Sequence, residues 1–150
     1  MVRSAKISDA RAIHQLLLKY AVDGLVLPRS LSDLYENIRN FYVYEESGGN
    51  VIGTVCLHIS WEDLAEVRSL AVTEQASGRG VGRKLVEQCL AEAREIGIHK
   101  VFALTYKIAF FEKIGFREIE KSQLPHKIWG DCIKCAKFPD CDETAMQITV

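Results

Sequence analysis

Leu70-Ala-Val-Thr-Glu-Gln-Ala-Ser-Gly-Arg-Gly-Val-Gly-Arg-Lys-Leu-Val-Glu-Gln-Cys-Leu90 reads as a strand, then a glycine-rich turn, then an amphipathic helix. Gly78, Gly80 and Gly82 leave the turn backbone bare, so its N–H groups can approach an anion closely. A helix that starts at such a turn adds unpaired N–H donors and a partial positive charge. Arg79, Arg83 and Lys84 add fixed charge, and the set suits a diphosphate. Behind the turn, Leu85, Val86, Cys89, Leu90 and Ala93 recur at helical spacing, as a face packed on a sheet requires.

Two diphosphate motifs are excluded. A phosphate-loop NTPase needs Lys then Ser or Thr after its last glycine, and Gly82 is followed by Arg83. The dinucleotide fingerprint wants a third glycine where Arg83 stands and an acid at the end of the next strand, and Lys100–Thr105 ends without one. A glycine-rich turn without a ligand is the alternative.

Outward from this stretch, Val2–Lys6 reads as a strand, and Ser8 as the cap of a helix over Asp9–Tyr20. Ser30 with Asp33 forms an acidic variant of the capping box for a helix to about Asn40. Phe41–Ser47 and Val51–Ser60 alternate as strands around Gly48-Gly49-Asn50, a hairpin signal. Leu64–Val72 and Lys100–Thr105 are strands, Ile108–Lys113 is a short helix and Phe116–Lys121 a strand. Ser122–Asp142 is irregular, and Thr144–Val150 closes the order. The pattern βααβββαβαβ plus a closing strand predicts an α/β fold, a mixed twisted sheet with helices on both faces, in one domain over 1–150.

The 150 residues suffice for a core, and 48% hydrophobic with 26% charged residues is a globular balance. A net charge of −1 gives no global basic field, so nucleic acid is not an expected partner. No apolar run reaches membrane length, and the N-terminus lacks a basic-then-apolar leader, so no membrane association and a cytoplasmic location are expected. The five cysteines are then expected as thiols or metal ligands rather than disulfides.

Leu70-Ala71-Val72, the Gly78–Gly82 turn and Ala109-Phe110-Phe111-Glu112-Lys113-Ile114-Gly115-Phe116 together resemble the GNAT superfamily of acetyl-CoA-dependent N-acetyltransferases. The resemblance covers nearly the whole chain and implies central strands that splay apart to admit the co-substrate. It implies that acetyl-CoA is held by Leu70, Ala71, Val72, Gln75, Gly78, Arg79, Gly80, Val81, Gly82, Arg83 and Phe111. Backbone groups of Leu70–Val72 would meet the pantetheine and the acetyl carbonyl, an oxyanion-hole element. The sequence departs from the family at Ser77, where Gln or Arg is usual and Gln75 is the nearest substitute, and at Phe111, where many members place an acidic tyrosine.

A closer resemblance is to the acetyltransferase domain of N-acetylglutamate synthase, in a short, standalone form. It rests on Leu27–Leu34, Phe41–Glu45, Ala65-Glu66-Val67-Arg68 and Val101–Tyr106. That family acetylates the α-amino group of glutamate at the first step of bacterial arginine synthesis. It implies Glu66 as general base, Thr105 as the hydroxyl that serves the departing thiolate, and Arg29 as a substrate residue. A two-carboxylate acceptor needs paired cations, and Arg68 and Lys127 are the further candidates. Two alternatives stand beside this: transfer to another small amine or a peptide N-terminus, and a non-catalytic acetyl-CoA-binding module. Self-association stays open. In the tail, Cys132-x-x-Cys135 with Cys141 could form part of a structural zinc site, or remain reduced thiols or an oxidisable pair.

Overall fold

The computed structural model describes residues 1–23, 26, 28–125 and 143–150. The strands among them are β1 (Val2–Ser4), β2 (Phe41–Glu45), β3 (Val51–Trp61), β4 (Leu64–Val72), β5 (Lys100–Thr105), β6 (Arg117–Glu118) and β7 (Thr144–Thr149). The helices are α1 (Ala10–Val22), α2 (Leu31–Glu36), α3 (Val81–Ile96) and α4 (Ile108–Ile114). The sheet order is β1-β2-β3-β4-β5-β7-β6. β4 and β5 pair in parallel, whereas β1 with β2, β2 with β3, β5 with β7 and β6 with β7 are antiparallel, so the sheet is mixed as expected. The closing strand does not lie at an edge: β7 inserts between β5 and β6.

The chain forms two compact units, Met1–His58 with Val67–Glu92, and Ile59–Glu66 with Ala93–Val150. In the first, Ala10, Ile13 and Leu17 of α1 and Leu34 of α2 share a core with Phe41, Val43, Cys56 and Ala71. Successive β2 residues point to opposite faces. Tyr42 accordingly donates its phenol to Glu92 of α3 at 3.0 Å, and the Tyr44 ring lies 5.8 Å from the Lys84 ammonium. Thus α1 and α2 cover one face of this unit's strands and α3 the other. α3 comes in close because β3 has Gly53 there: a Cβ at that position would stand 2.9 Å from Leu85 Cδ1 and 3.0 Å from Val81 Cγ1. A glycine inside a strand is the mark of such an approach.

The second unit has a smaller core of Leu64, Phe102, Leu124 and Ala145, with Leu104 and Ile119 against it. The β4–β5 ladder is confined to Leu64–Glu66 opposite Lys100–Phe102. Phe111 of α4 is buried, edge-on to Phe110 and Phe116 with both centroid separations 5.0 Å.

Three local expectations need correction. Ser8 does not cap α1; Asp9 stands at its N-cap after a 3-10 turn over Ile7–Asp9. Two interactions draw that turn tight: the Asp9 carboxylate accepts the Lys6 N–H at 2.7 Å, and Arg3 grips it at 2.8 and 3.0 Å. Ser30 does cap α2, accepting the Asp33 N–H at 3.0 Å, but the reciprocal half of the box is not made. The Asp33 carboxylate is taken by Arg29 and Asn37 instead, and the helix stops at Glu36 before a 3-10 turn over Ile38–Asn40. The strand expected over Phe116–Lys121 shortens to Arg117–Glu118, because Phe116 turns into the core and Lys121–Gln123 winds into another 3-10 turn. Among the described residues no helix is long and apolar enough to cross a membrane.

Candidate functional site

The glycine turn is built from its two ends. The Thr73 N–H donates to the Ile52 carbonyl at 2.9 Å and fixes the end of β4 on β3. A 3-10 turn over Glu74–Ala76 follows, with Ala76 buried and Gln75 exposed. The chain then passes through Gly78 at φ +80° and Gly80 at φ +78°, left-handed values that disfavour any side chain. The Gly80 carbonyl accepts the Lys84 N–H at 3.1 Å, so the N–H groups of Val81, Gly82 and Arg83 precede the first intrahelical donor. The Val81 side chain is buried over Gly53, which leaves its N–H as the group it can offer a ligand. A Cβ at Gly78 or Gly80 would meet nothing within 4 Å, so open space adjoins these donors.

The cations around the turn are lightly held. Arg79 pairs with Glu46 at 3.2 Å and Arg83 with Glu87 at 3.7 Å, both on the surface. Exposed pairs of this kind contribute about 0–1 kcal/mol, so an incoming phosphate can displace the carboxylates at little cost. Lys84 lies over Tyr44 and adds charge from the side.

β4 leads into this turn but is not a regular strand. Ser69 has φ +54° and is alone among described non-glycine residues in that region. Arg68, Ser69 and Leu70 are consecutively half-buried, with Ala71 buried and Val72 half-buried after them. Strand alternation would put Glu66, Arg68 and Leu70 on one face, but a left-handed residue at Ser69 breaks that alternation beyond Arg68. The Val72 carbonyl already accepts the Tyr20 hydroxyl from α1. A carbonyl has two lone pairs, so one remains for a ligand amide.

Arg29 faces the same irregular segment. Its Nε and Nη2 donate to Asp33 at 2.7 and 3.3 Å, and its Nη1 donates to Ser69 Oγ at 3.2 Å. The guanidinium lies 5.0 Å from the Phe41 ring centroid. Burial pulls the Arg29 pKa down, but Asp33 and Cys56, each through a hydrogen bond and through charge, together outweigh it and hold the group above its ordinary value. Arg29 in turn lowers the Asp33 pKa, with Arg68 contributing to the same effect. Arg29 and Arg68 thus both act on the Asp33 carboxylate.

Glu66 and Thr105 belong to the second unit. Glu66 is 7% exposed and stands in register with Phe102. Thr105 is 9% exposed at the end of β5, and its Oγ1 accepts the Lys107 N–H at 2.9 Å. This is the local backbone bond expected of a strand-end threonine. It also directs a backbone donor at the oxygen, which leaves the hydroxyl proton for another acceptor. Cys89 is fully buried, and burial pushes its thiol pKa far up, so it is a core residue.

Lys127 and the cysteines Cys132, Cys135 and Cys141 lie outside the described residues. Among the described residues no three His, Cys, Asp or Glu side chains are grouped to hold a metal ion, so nothing there supports zinc. The sequence reading missed Ser69, for which serine carries no local signal. It also passed over Gly53, although a glycine within an apolar strand was there to be read.

Comparison with known proteins matches residues 11–116 to the Acetyltransferase (GNAT) family. An uncharacterized N-acetyltransferase of Chlorobaculum tepidum is 44% identical over 149 residues, covering 99% of this chain and 96% of the relative. An amino-acid acetyltransferase of Mycobacterium tuberculosis is 37% identical over 133 residues, covering 87% of this chain and 76% of the relative. The crystal structure of N-acetylglutamate synthase from Neisseria gonorrhoeae, complexed with coenzyme A and N-acetyl-glutamate, superposes with TM-score 0.90 and 28% identity. That match covers 99% of this chain and 34% of the longer one.

Proposed function

This chain belongs to the GNAT family of acetyltransferases, and from that premise we propose that it transfers the acetyl group of acetyl-CoA to the α-amino group of L-glutamate. The observation that carries the choice of acceptor is the pair of guanidinium groups, Arg29 and Arg68, that act on Asp33 in the first unit. Arg29 binds Asp33 directly and Arg68 acts on the same carboxylate through space, and two neighbouring guanidinium groups suit an acceptor that carries two carboxylates. The names of the amino-acid acetyltransferase and N-acetylglutamate synthase relatives support the same class of acceptor.

The diphosphate of acetyl-CoA rests in the Gly78–Arg83 turn on the N–H groups of Val81, Gly82 and Arg83, with the Arg79 and Arg83 side chains released from their surface partners. Backbone groups of Leu70–Val72 take the pantetheine and the acetyl carbonyl. Glu66 removes a proton from the acceptor ammonium, the freed amine attacks the thioester carbon, and main-chain N–H groups hold the oxyanion. Collapse expels the coenzyme A thiolate, to which the Thr105 hydroxyl donates a hydrogen bond, and the second proton lost from the attacking nitrogen is relayed to the sulfur through that hydroxyl or through water. The acetyl group passes directly, with no acyl-enzyme. On this reading the product enters arginine synthesis.

A panel of free amino acids, polyamines and peptide amines tests this by mass-spectrometric detection of acetylated product. Glutamate should exceed glutamine and aspartate. Preferential acetylation of a polyamine or a peptide N-terminus refutes the acceptor and leaves the family assignment standing.

A further inference from the structure

The left-handed backbone at Ser69 has no local cause. Serine has no preference for that region, and its sequence neighbours Arg68 and Leu70 offer no turn signal. What meets Ser69 is a side chain forty positions away: Arg29 Nη1 donates to its Oγ at 3.2 Å. That guanidinium is itself fixed. Asp33 holds it through two nitrogens at 2.7 and 3.3 Å, Asn37 holds Asp33 at 2.7 Å, and the Phe41 ring lies against it at 5.0 Å. The donor therefore cannot follow Ser69 if the strand relaxes. Immediately after Ser69 come Leu70 and Ala71, whose main-chain directions are set by the turn taken at Ser69.

We propose that Ser69 is a positioning residue: its hydroxyl, anchored on Arg29, holds the β4 backbone in the left-handed conformation that aims the following main-chain groups at the acetyl carbonyl. This deepens the proposed function and rests on it, since Arg29 is there an acceptor ligand. The same guanidinium then touches the acceptor carboxylate on one side and the acyl-binding strand on the other. Acceptor binding and acetyl-CoA binding are coupled through it, and the coupling is reciprocal.

The test uses the full chain with Ser69→Ala and Ser69→Gly. Alanine loses the hydroxyl and keeps the unfavourable Cβ; glycine loses the hydroxyl but adopts positive φ freely. The first readout needs no acceptor: the isotope-edited infrared stretch of carbonyl-13C acetyl-CoA bound to each protein. Wild type and Ser69→Gly should shift the carbonyl to lower frequency than free thioester, and Ser69→Ala should lose much of that shift. The second readout is steady-state kinetics with glutamate. Ser69→Ala should lower kcat by roughly tenfold, the scale of a lost hydrogen bond to a charged group, and raise KM for glutamate. Ser69→Gly should raise KM with kcat near wild type. A lowered melting temperature with unchanged carbonyl frequency, kcat and KM in Ser69→Ala makes the residue merely structural and overturns the proposal. Ser69→Gly matching Ser69→Ala in the infrared overturns it as well. If wild type does not acetylate glutamate, the acceptor reading fails, and the infrared comparison still decides the role of Ser69.

Discussion

Replacing Gly80 by alanine separates a turn that binds from a turn that only turns. The added methyl meets nothing within 4 Å, so in the free protein its cost comes from the backbone alone, held at φ +78°. A left-handed non-glycine residue costs roughly 1–2 kcal/mol. For a chain of this size each kcal/mol lowers the melting temperature by about 2–4 °C, so a loss of about 2–8 °C is expected. Gly97, just beyond the C-terminus of α3, is a matched control: its φ is +91° and a Cβ there also meets nothing within 4 Å. Gly97→Ala should lose a similar amount of stability. Coenzyme A affinity should part the two. If the open space at Gly80 is where the diphosphate lies, the methyl displaces it from one or more N–H donors. A hydrogen bond to a charged group is worth about 1.5–3 kcal/mol, so the dissociation constant should rise roughly 10- to 150-fold. Calorimetric titration with coenzyme A, beside thermal melts of both variants, measures each quantity. Unchanged affinity in folded Gly80→Ala, or equal weakening in Gly97→Ala, would refute the assignment of the diphosphate to this turn.

Glu66→Gln keeps the shape of a buried side chain and removes its basicity, so kcat should fall by about 10²-fold or more with acetyl-CoA affinity preserved; a wild-type pH–rate profile in the variant places the base elsewhere. Arg29→Ala should raise KM for glutamate by about tenfold or more, the scale of one charge-assisted bond, and also destabilise the fold by removing the guanidinium that holds Asp33. Adding Asp33→Asn should then restore the melting temperature but not KM, and recovery of both shows that Arg29 is only structural. Burial and the Glu92 hydrogen bond push the Tyr42 phenol up to about 12. A folded pKa above the ordinary value near 10 gives stability that is complete below about pH 10 and is lost as pH rises toward 12. Tyr42→Phe should flatten that alkaline decline in urea midpoints, and identical declines in both proteins count against the Tyr42–Glu92 contact.

What could be read from the sequence was local. β4 and β5 begin and end where their apolar patterns do, and the apolar face of α3 follows from residues three and four apart. Ser30 caps α2 because the accepting N–H is three positions away. Ser8 failed as a cap because Arg3, across a turn, captured Asp9 and reshaped the helix entry. The insertion of β7 between β5 and β6 depends on pairings such as Lys100 with Thr149, which no short window contains. The same limit divides the site. The glycine turn announces itself, since Gly78 and Gly80 are the residues that tolerate their φ values. The kink at Ser69 does not, because its support arrives through a guanidinium forty residues upstream, which Asp33, Asn37 and Phe41 have already fixed in place. A diphosphate cradle can be written in a few adjacent residues because backbone N–H groups are supplied by every residue and only need uncovering. Aiming a main-chain donor at one carbonyl requires a strand held away from its preferred conformation, and the restraint must come from elsewhere in the fold. The orienting half of such a site is therefore where tertiary structure adds most to the sequence.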